Sequence, residues 1–177
     1  MESKKYKLTA ETKVVDNITL HRIECVTAFG DVECGAKGGW IESEKNLLQF
    51  RNAWVGENAT VRGNAWVGGN ATVGGNATVG ENATVGGNAW VGENAWVGGD
   101  ATVGGNADYI VFKNWWSSGR YFTWTRSNNK WKVGCFYGTG EELVAKAYKD
   151  GEKSGREYER VVKYVESILK EENNNNK

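Results

Sequence analysis

Two tryptophans and two arginines within twelve residues, Trp115, Trp116, Arg120 and Arg126, carry the most suggestive chemistry in this 177-residue chain. Indole rings stack on planar ligands and guanidinium groups pair with phosphate, so the cluster reads as a candidate ligand-binding site for a nucleotide or another phosphorylated molecule. The competing reading is an interface between two parts of the same chain.

Catalytic chemistry finds less support. His21 is the single histidine, and one imidazole cannot build a three-nitrogen metal site. Neither a Gly-x-x-x-x-Gly-Lys-Ser/Thr loop, a Gly-x-Ser-x-Gly elbow nor a His-Glu-x-x-His pair occurs. Cys25, Cys34 and Cys135 leave one thiol over and form no Cys-x-x-Cys pair, which fits a reduced, cytosolic protein without a metal. The expectation is a non-enzymatic protein with no cofactor.

Composition narrows the partners. Lys plus Arg and Asp plus Glu are 22 each, so no broad field draws the chain to nucleic acid or an anionic membrane. The N-terminal residues lack the apolar segment of a secretion signal, and no run of apolar residues is long enough to span a bilayer. With 24 Gly, 9 Trp and no Pro, the composition signals a repeat architecture.

The elements that must position these side chains are set by that repeat. From Gln49 to Asp108 ten six-residue units follow one another, QFRNAW, VGENAT, VRGNAW and so on, nine of them opening with Val. A spacing of six fits neither a helical stripe nor a heptad. Within each unit Ala and Val alternate with Thr or Trp, the pattern of a short strand with Ala and Val inward. Gly-Gly-Asn or Gly-Glu-Asn then supplies a corner, with Asn expected to take the left-handed backbone conformation. Asn-Ala-Thr triplets at Asn58, Asn70, Asn76 and Asn82 match glycosylation acceptors only because the repeat generates them.

This pattern resembles the hexapeptide-repeat left-handed β-helix of many acyltransferases, in which three units form one triangular coil. The resemblance implies a mainly β fold with a little over three coils, about 16 Å tall. It carries no acyltransferase histidine and none of the three zinc histidines of γ-type carbonic anhydrases, since His21 precedes the repeat. Stacking at eighteen residues places Trp54, Thr72, Trp90 and Asp108 on one outer face. Thr60, Thr78 and Trp96 share a second, and Trp66, Thr84 and Thr102 the third. Outward indoles favour coverage, so Trp54, Trp66, Trp90 and Trp96 are expected at interfaces with flanking modules or other subunits, a homotrimer being the favoured assembly.

The flanks divide the chain into residues 1–48, an N-terminal β-hairpin cap and irregular first coil; 49–108, the repeat; 109–171, a C-terminal β-β-β-α-α module; and 172–177, a disordered tail. The module's strands are expected at Tyr109–Lys113, Tyr121–Arg126 and Trp131–Phe136. Capping boxes at Thr139/Glu142 and Ser154/Glu157 open its helices. The segments GDV, GGWIESEKNL and GCFYGT around the repeat resemble hexapeptide-repeat proteins of bacteriophages and prophages. That resemblance implies a viral protein in the host cytoplasm, serving counter-defence or immune evasion. Two binding roles are then expected: sequestering a small nucleotide-like host signal at aromatic sites, or blocking a host protein through a flat β-helix face. Ice binding by outward threonines is a remote third, because Trp interrupts every Thr row.

Overall fold

The computed structural model describes residues 4–175 and is mainly β, a parallel β-solenoid of about four turns followed by a small sheet and two helices. Strands β1 (Tyr6–Val15) and β2 (Ile18–Cys25) pair antiparallel across a turn at Asp16 and Asn17, both at positive φ. Strand β3 (Lys37–Ile41) pairs antiparallel with β2 and parallel with the first strand of the second turn, which joins the hairpin edge to edge to one solenoid sheet.

Each junction between successive hexads forms a two-residue strand: β4 (Trp54–Val55), β5 (Thr60–Val61), β6 (Trp66–Val67), β7 (Thr72–Val73), β8 (Thr78–Val79), β9 (Thr84–Val85), β10 (Trp90–Val91), β11 (Trp96–Val97) and β12 (Thr102–Val103). They stack as β4-β7-β10, β6-β9-β12 and β3-β5-β8-β11, the eighteen-residue register expected from the sequence. Trp40 of β3 extends the second row, beside Thr60. Asp108 does not join the first row. No further strand follows Val103, and Asp108 ends a short 3-10 turn, Asn106–Asp108, where its carboxylate accepts from the Gly104 and Gly105 amides at 2.8 Å.

The inward alanines and valines from Ala53 to Val103 are at most 1 % exposed. Alternation carries each of these methyl groups to the axis, and burial of each valine stabilises the fold by about 1.5–3 kcal/mol. The corners differ from expectation. The left-handed residue is the one before Asn, namely Arg51, Glu57, Gly63, Gly69, Gly75, Glu81, Gly87, Glu93 and Gly99, with φ from 51° to 67°. The asparagines instead link successive turns by side-chain amide bonds of 3.1 Å, Asn64 to Asn82, Asn82 to Asp100 and Asn70 to Asn88.

Both ends of the solenoid present backbone groups with no further coil to bond. At the first end the Ala53 carbonyl accepts from Lys5 Nζ at 2.6 Å, and that of Ala65 from Asn46 Nδ2 at 2.8 Å. At the last end the Trp90, Trp96 and Thr102 amides donate to side-chain oxygens of Asn106, Thr123 and Ser127 at 2.8–2.9 Å. At the first end these bonds are buried, where an unpaired peptide group costs about 1–3 kcal/mol.

Lys5 gives a pH prediction. Burial lowers its ammonium pKa from 10.5 to about 8, with the nearby Cys25 acting in the opposite sense. Between these values the folded chain holds fewer protons at Lys5 than the unfolded chain, so its contribution to stability rises with pH. The stability of the wild type relative to Lys5→Met is therefore expected to increase between pH 8 and pH 10.5, measured by urea unfolding. A flat difference would mean that Lys5 is solvated.

The chain leaves the solenoid into β13 (Tyr109–Lys113), β14 (Tyr121–Thr125), β15 (Lys130–Val133) and β16 (Phe136–Gly138), a four-stranded antiparallel meander. The expected third strand is broken in two because Gly134, at φ 57°, turns the chain. One face, with Val111, Thr123, Lys132 and Tyr137, is directed to the solenoid; the other buries Phe122, Trp124 and Trp131 under the helices. Cys135 is exposed in the turn.

Helix α1 (Gly140–Asp150) has the anticipated capping box: the Glu142 amide donates to Thr139 Oγ1, and the Glu142 carboxylate accepts from the Thr139 amide. Helix α2 (Glu152–Asn175) starts before Ser154, because Gly151 alone breaks the chain and its carbonyl already accepts from the Gly155 amide at 2.9 Å. Helical backbone continues through the segment expected as a tail as far as Asn175, and Glu172 pairs there with Arg126. Residues 176–177 lie outside the described residues.

Candidate functional site

The sequence cluster does not come together as one site. Trp116 is buried against Tyr158 and Phe122, with ring centroids 5.0 and 6.2 Å away, and is part of the module core. Its indole nitrogen is buried without a partner. Trp115, next to it, is 72 % exposed and meets Trp116 edge-on at 6.1 Å.

Arg120 precedes β14 and Arg126 follows it, about 20 Å apart at strand geometry. Arg126 is already engaged. Its guanidinium takes the Glu172 carboxylate with two bonds, at 2.6 and 3.1 Å, and its Nε donates to the Ala107 carbonyl at 3.1 Å. These contacts fasten α2 and β14 to the solenoid exit, and the paired carboxylate raises the guanidinium pKa further.

Arg120 instead lines a groove of about 420 Å3 between the β13–β14 loop, the β15–β16 turn and both helices. Lys146 and Asp150 of α1 and Tyr158 of α2 line it too. Neither Arg120 nor Lys146 has a carboxylate within 4.0 Å among the described residues, although Asp150 shares the groove.

Asn114 organises this loop. It is 3 % exposed; its amide donates to Tyr158 Oη at 3.0 Å, and its carbonyl accepts from the Ser117 amide and hydroxyl at 3.0 Å. Because Tyr158 Oη accepts from Asn114, the phenol's own proton remains free to donate. Burial also pushes its pKa up, keeping that proton in place. Two cations and a neutral phenol can together hold an anionic oxygen. Lys146 and Tyr158 were missed as site residues because they lie on helices whose visible signal is the core-facing stripe.

The four interface tryptophans divide into two pairs. Trp54 is 8 % exposed beneath Phe29, edge to face at 5.6 Å. Trp96 is half-buried, with the Lys132 ammonium 4.3 Å from its ring centroid. Both are covered by segments of the same chain. Trp66 and Trp90 remain 38 % and 57 % exposed.

Trp90 borders a second groove, of about 460 Å3, where the overhanging ends of β13 and β14 face the solenoid. Tyr109, Val111 and Tyr121 form one side; Glu93 and Asn106 stand beside the indole.

The described residues contain no cluster of three or more His, Cys, Asp or Glu side chains placed to hold a metal. No described helix is long and apolar enough to cross a membrane. The chain matches no family model and no curated protein.

Proposed function

We propose that this chain is a non-enzymatic binding protein that holds a small phosphorylated ligand of the nucleotide class in the groove of its C-terminal module. The observation carrying this reading is the unpaired state of Arg120 and Lys146 beside the free phenol proton of Tyr158. Charge-assisted bonds to phosphate oxygens would satisfy all three donors. The exposed Trp115, on the same loop as Arg120, supplies a ring on which a base can stack.

Calorimetry with nucleoside mono-, di- and triphosphates and cyclic nucleotides tests it. Arg120→Gln and Lys146→Gln are each expected to weaken binding about tenfold or more, since hydrogen bonds to charged groups contribute about 1.5–3 kcal/mol. Both side chains are exposed, so the fold should persist. Absence of binding, or equal binding by the double variant, overturns the reading.

A left-handed solenoid, a capping role for the hairpin, a homotrimer, a phage or prophage origin and a counter-defence role in the host cytoplasm belong to the same proposal. They rest on the resemblance of the repeat and its flanking segments; native mass spectrometry of the purified protein reads the assembly and any retained nucleotide together. The exposed Trp66 favours a second reading, a host protein bound on a flat solenoid face, which the double variant would spare.

A further inference from the structure

Every tryptophan of the repeat packs over the glycine two residues on, Trp54 over Gly56, Trp66 over Gly68, Trp90 over Gly92 and Trp96 over Gly98. Residues i and i+2 of a strand share a face, and a glycine at i+2 leaves room for the ring to settle against the backbone. For Trp90 a Cβ on Gly92 would meet ring atoms at 3.4 Å, yet the residue is 57 % exposed. Its indole is thus supported on one side and open on the other.

The groups around this ring are polar and unspent. Asn106 accepts from the Trp90 amide through Oδ1, at 2.8 Å, and its Nδ2 donates to nothing among the described residues. The Glu93 carboxylate and the Tyr121 hydroxyl likewise have no partner there, whereas the Tyr109 hydroxyl is committed to the Trp90 carbonyl at 2.8 Å.

Glu93 has a left-handed backbone, φ 54°, at a corner where six of the ten repeat units carry glycine. A non-glycine residue in that region costs about 1–2 kcal/mol, and such strain concentrates at functional positions. Glu81, at the equivalent repeat position twelve residues earlier and on another corner of the solenoid, uses its carboxylate to bond the Gly99 amide and Lys132. Glu93 has no such partner among the described residues.

We propose that the Trp90 groove is a carbohydrate site that takes a neutral pyranose, independent of the module groove. The apolar face of a sugar ring stacks on the Trp90 indole with Tyr121 opposite. Its hydroxyls donate to the Glu93 carboxylate and accept from Asn106 Nδ2 and Tyr121. The lining argues against an anionic ligand: it holds the Glu93 carboxylate and no lysine or arginine, while Lys113 Nζ lies 5.6 Å from the Tyr121 ring centroid. A neutral sugar satisfies that carboxylate by donating hydroxyl protons to it, and a small cation is the competing occupant that the test separates.

The test is calorimetry of the full chain with neutral oligosaccharides, namely cellohexaose, maltoheptaose, mannohexaose and chitohexaose, beside tetramethylammonium and guanosine monophosphate. Expected is binding of at least one oligosaccharide, weakened at least tenfold by Trp90→Ala and by Glu93→Gly, partly restored in Trp90→Tyr, and unchanged in Arg120→Gln/Lys146→Gln. Glu93→Gly should raise the thermal midpoint slightly, separating loss of the site from loss of the fold. Binding of no oligosaccharide at millimolar concentration, binding unaffected by Trp90→Ala, or tetramethylammonium as the only Trp90-dependent ligand each overturns the proposal. Nucleotide binding lost in the Arg120/Lys146 variant but retained in Trp90→Ala would support the module-groove reading without supporting this one.

Discussion

Replacing Gly39 by alanine is expected to destabilise the chain by about 3 kcal/mol, lowering the thermal midpoint by about 6–12 °C. Gly39 lies in β3, where the first turn closes on the second. A Cβ there would fall 2.6 Å from the Ala59 carbonyl oxygen, 2.8 Å from Val55 Cγ1 and 3.0 Å from the Gly56 carbonyl oxygen. Two of these atoms are backbone, and the Ala59 oxygen already accepts from the Trp40 amide at 2.9 Å, so neither can retreat without breaking the ladder. Gly56→Ala is the matched control. Its Cβ would meet nothing closer than Trp54 Cδ1 at 3.6 Å, and a change below about 1 kcal/mol is expected. Equal stability of the two variants, by calorimetry, would show that the first turn is not packed as described.

Lys132→Ala is expected to loosen the junction between solenoid and module, with a loss of about 2–4 kcal/mol. The Lys132 side chain is 9 % exposed; its ammonium is 3.3 Å from the Glu81 carboxylate, 4.3 Å from the Trp96 ring centroid and 5.8 Å from that of Tyr137. Truncation removes the stem that packs between these rings and leaves Glu81 without its cation. Glu81 is 47 % exposed, so water softens that loss and the estimate falls below that for a fully buried pair. Lys132→Met keeps the stem and should recover roughly half of it. Hydrogen exchange gives a local readout: the Trp96 and Thr102 amides, held by Thr123 and Ser127, should lose protection before the inner turns do. Unchanged protection would place the docking energy elsewhere, at Arg126 and Glu172.

The repeat was legible because its information is local. A six-residue period with Ala and Val alternating against Thr and Trp dictates which side chains turn inward, and the eighteen-residue stacking of Trp54, Thr72 and Trp90 follows from three strands per turn. The corner was read one residue out, because Asn favours left-handed backbone in general. Here Gly, Glu and, at the first corner, Arg51 hold that conformation, and Asn serves the ladder between turns. The module was half legible. The Thr139/Glu142 box is a local signal and stands, whereas the Ser154/Glu157 spacing lies inside a helix already opened by Gly151.

By itself the sequence determined where the solenoid's strands lie, which residues form its axis and that four indoles point outward, since backbone alternation decides each of these. Only the tertiary structure decided which indoles are covered and which arginine is free. Phe29 closes over Trp54 and Lys132 over Trp96, while Glu172, from the far end of α2, takes Arg126 and leaves Arg120 beside Lys146. Such contacts join residues tens of positions apart. They depend on how the non-repeating ends fold back over the repeat, which no periodicity encodes.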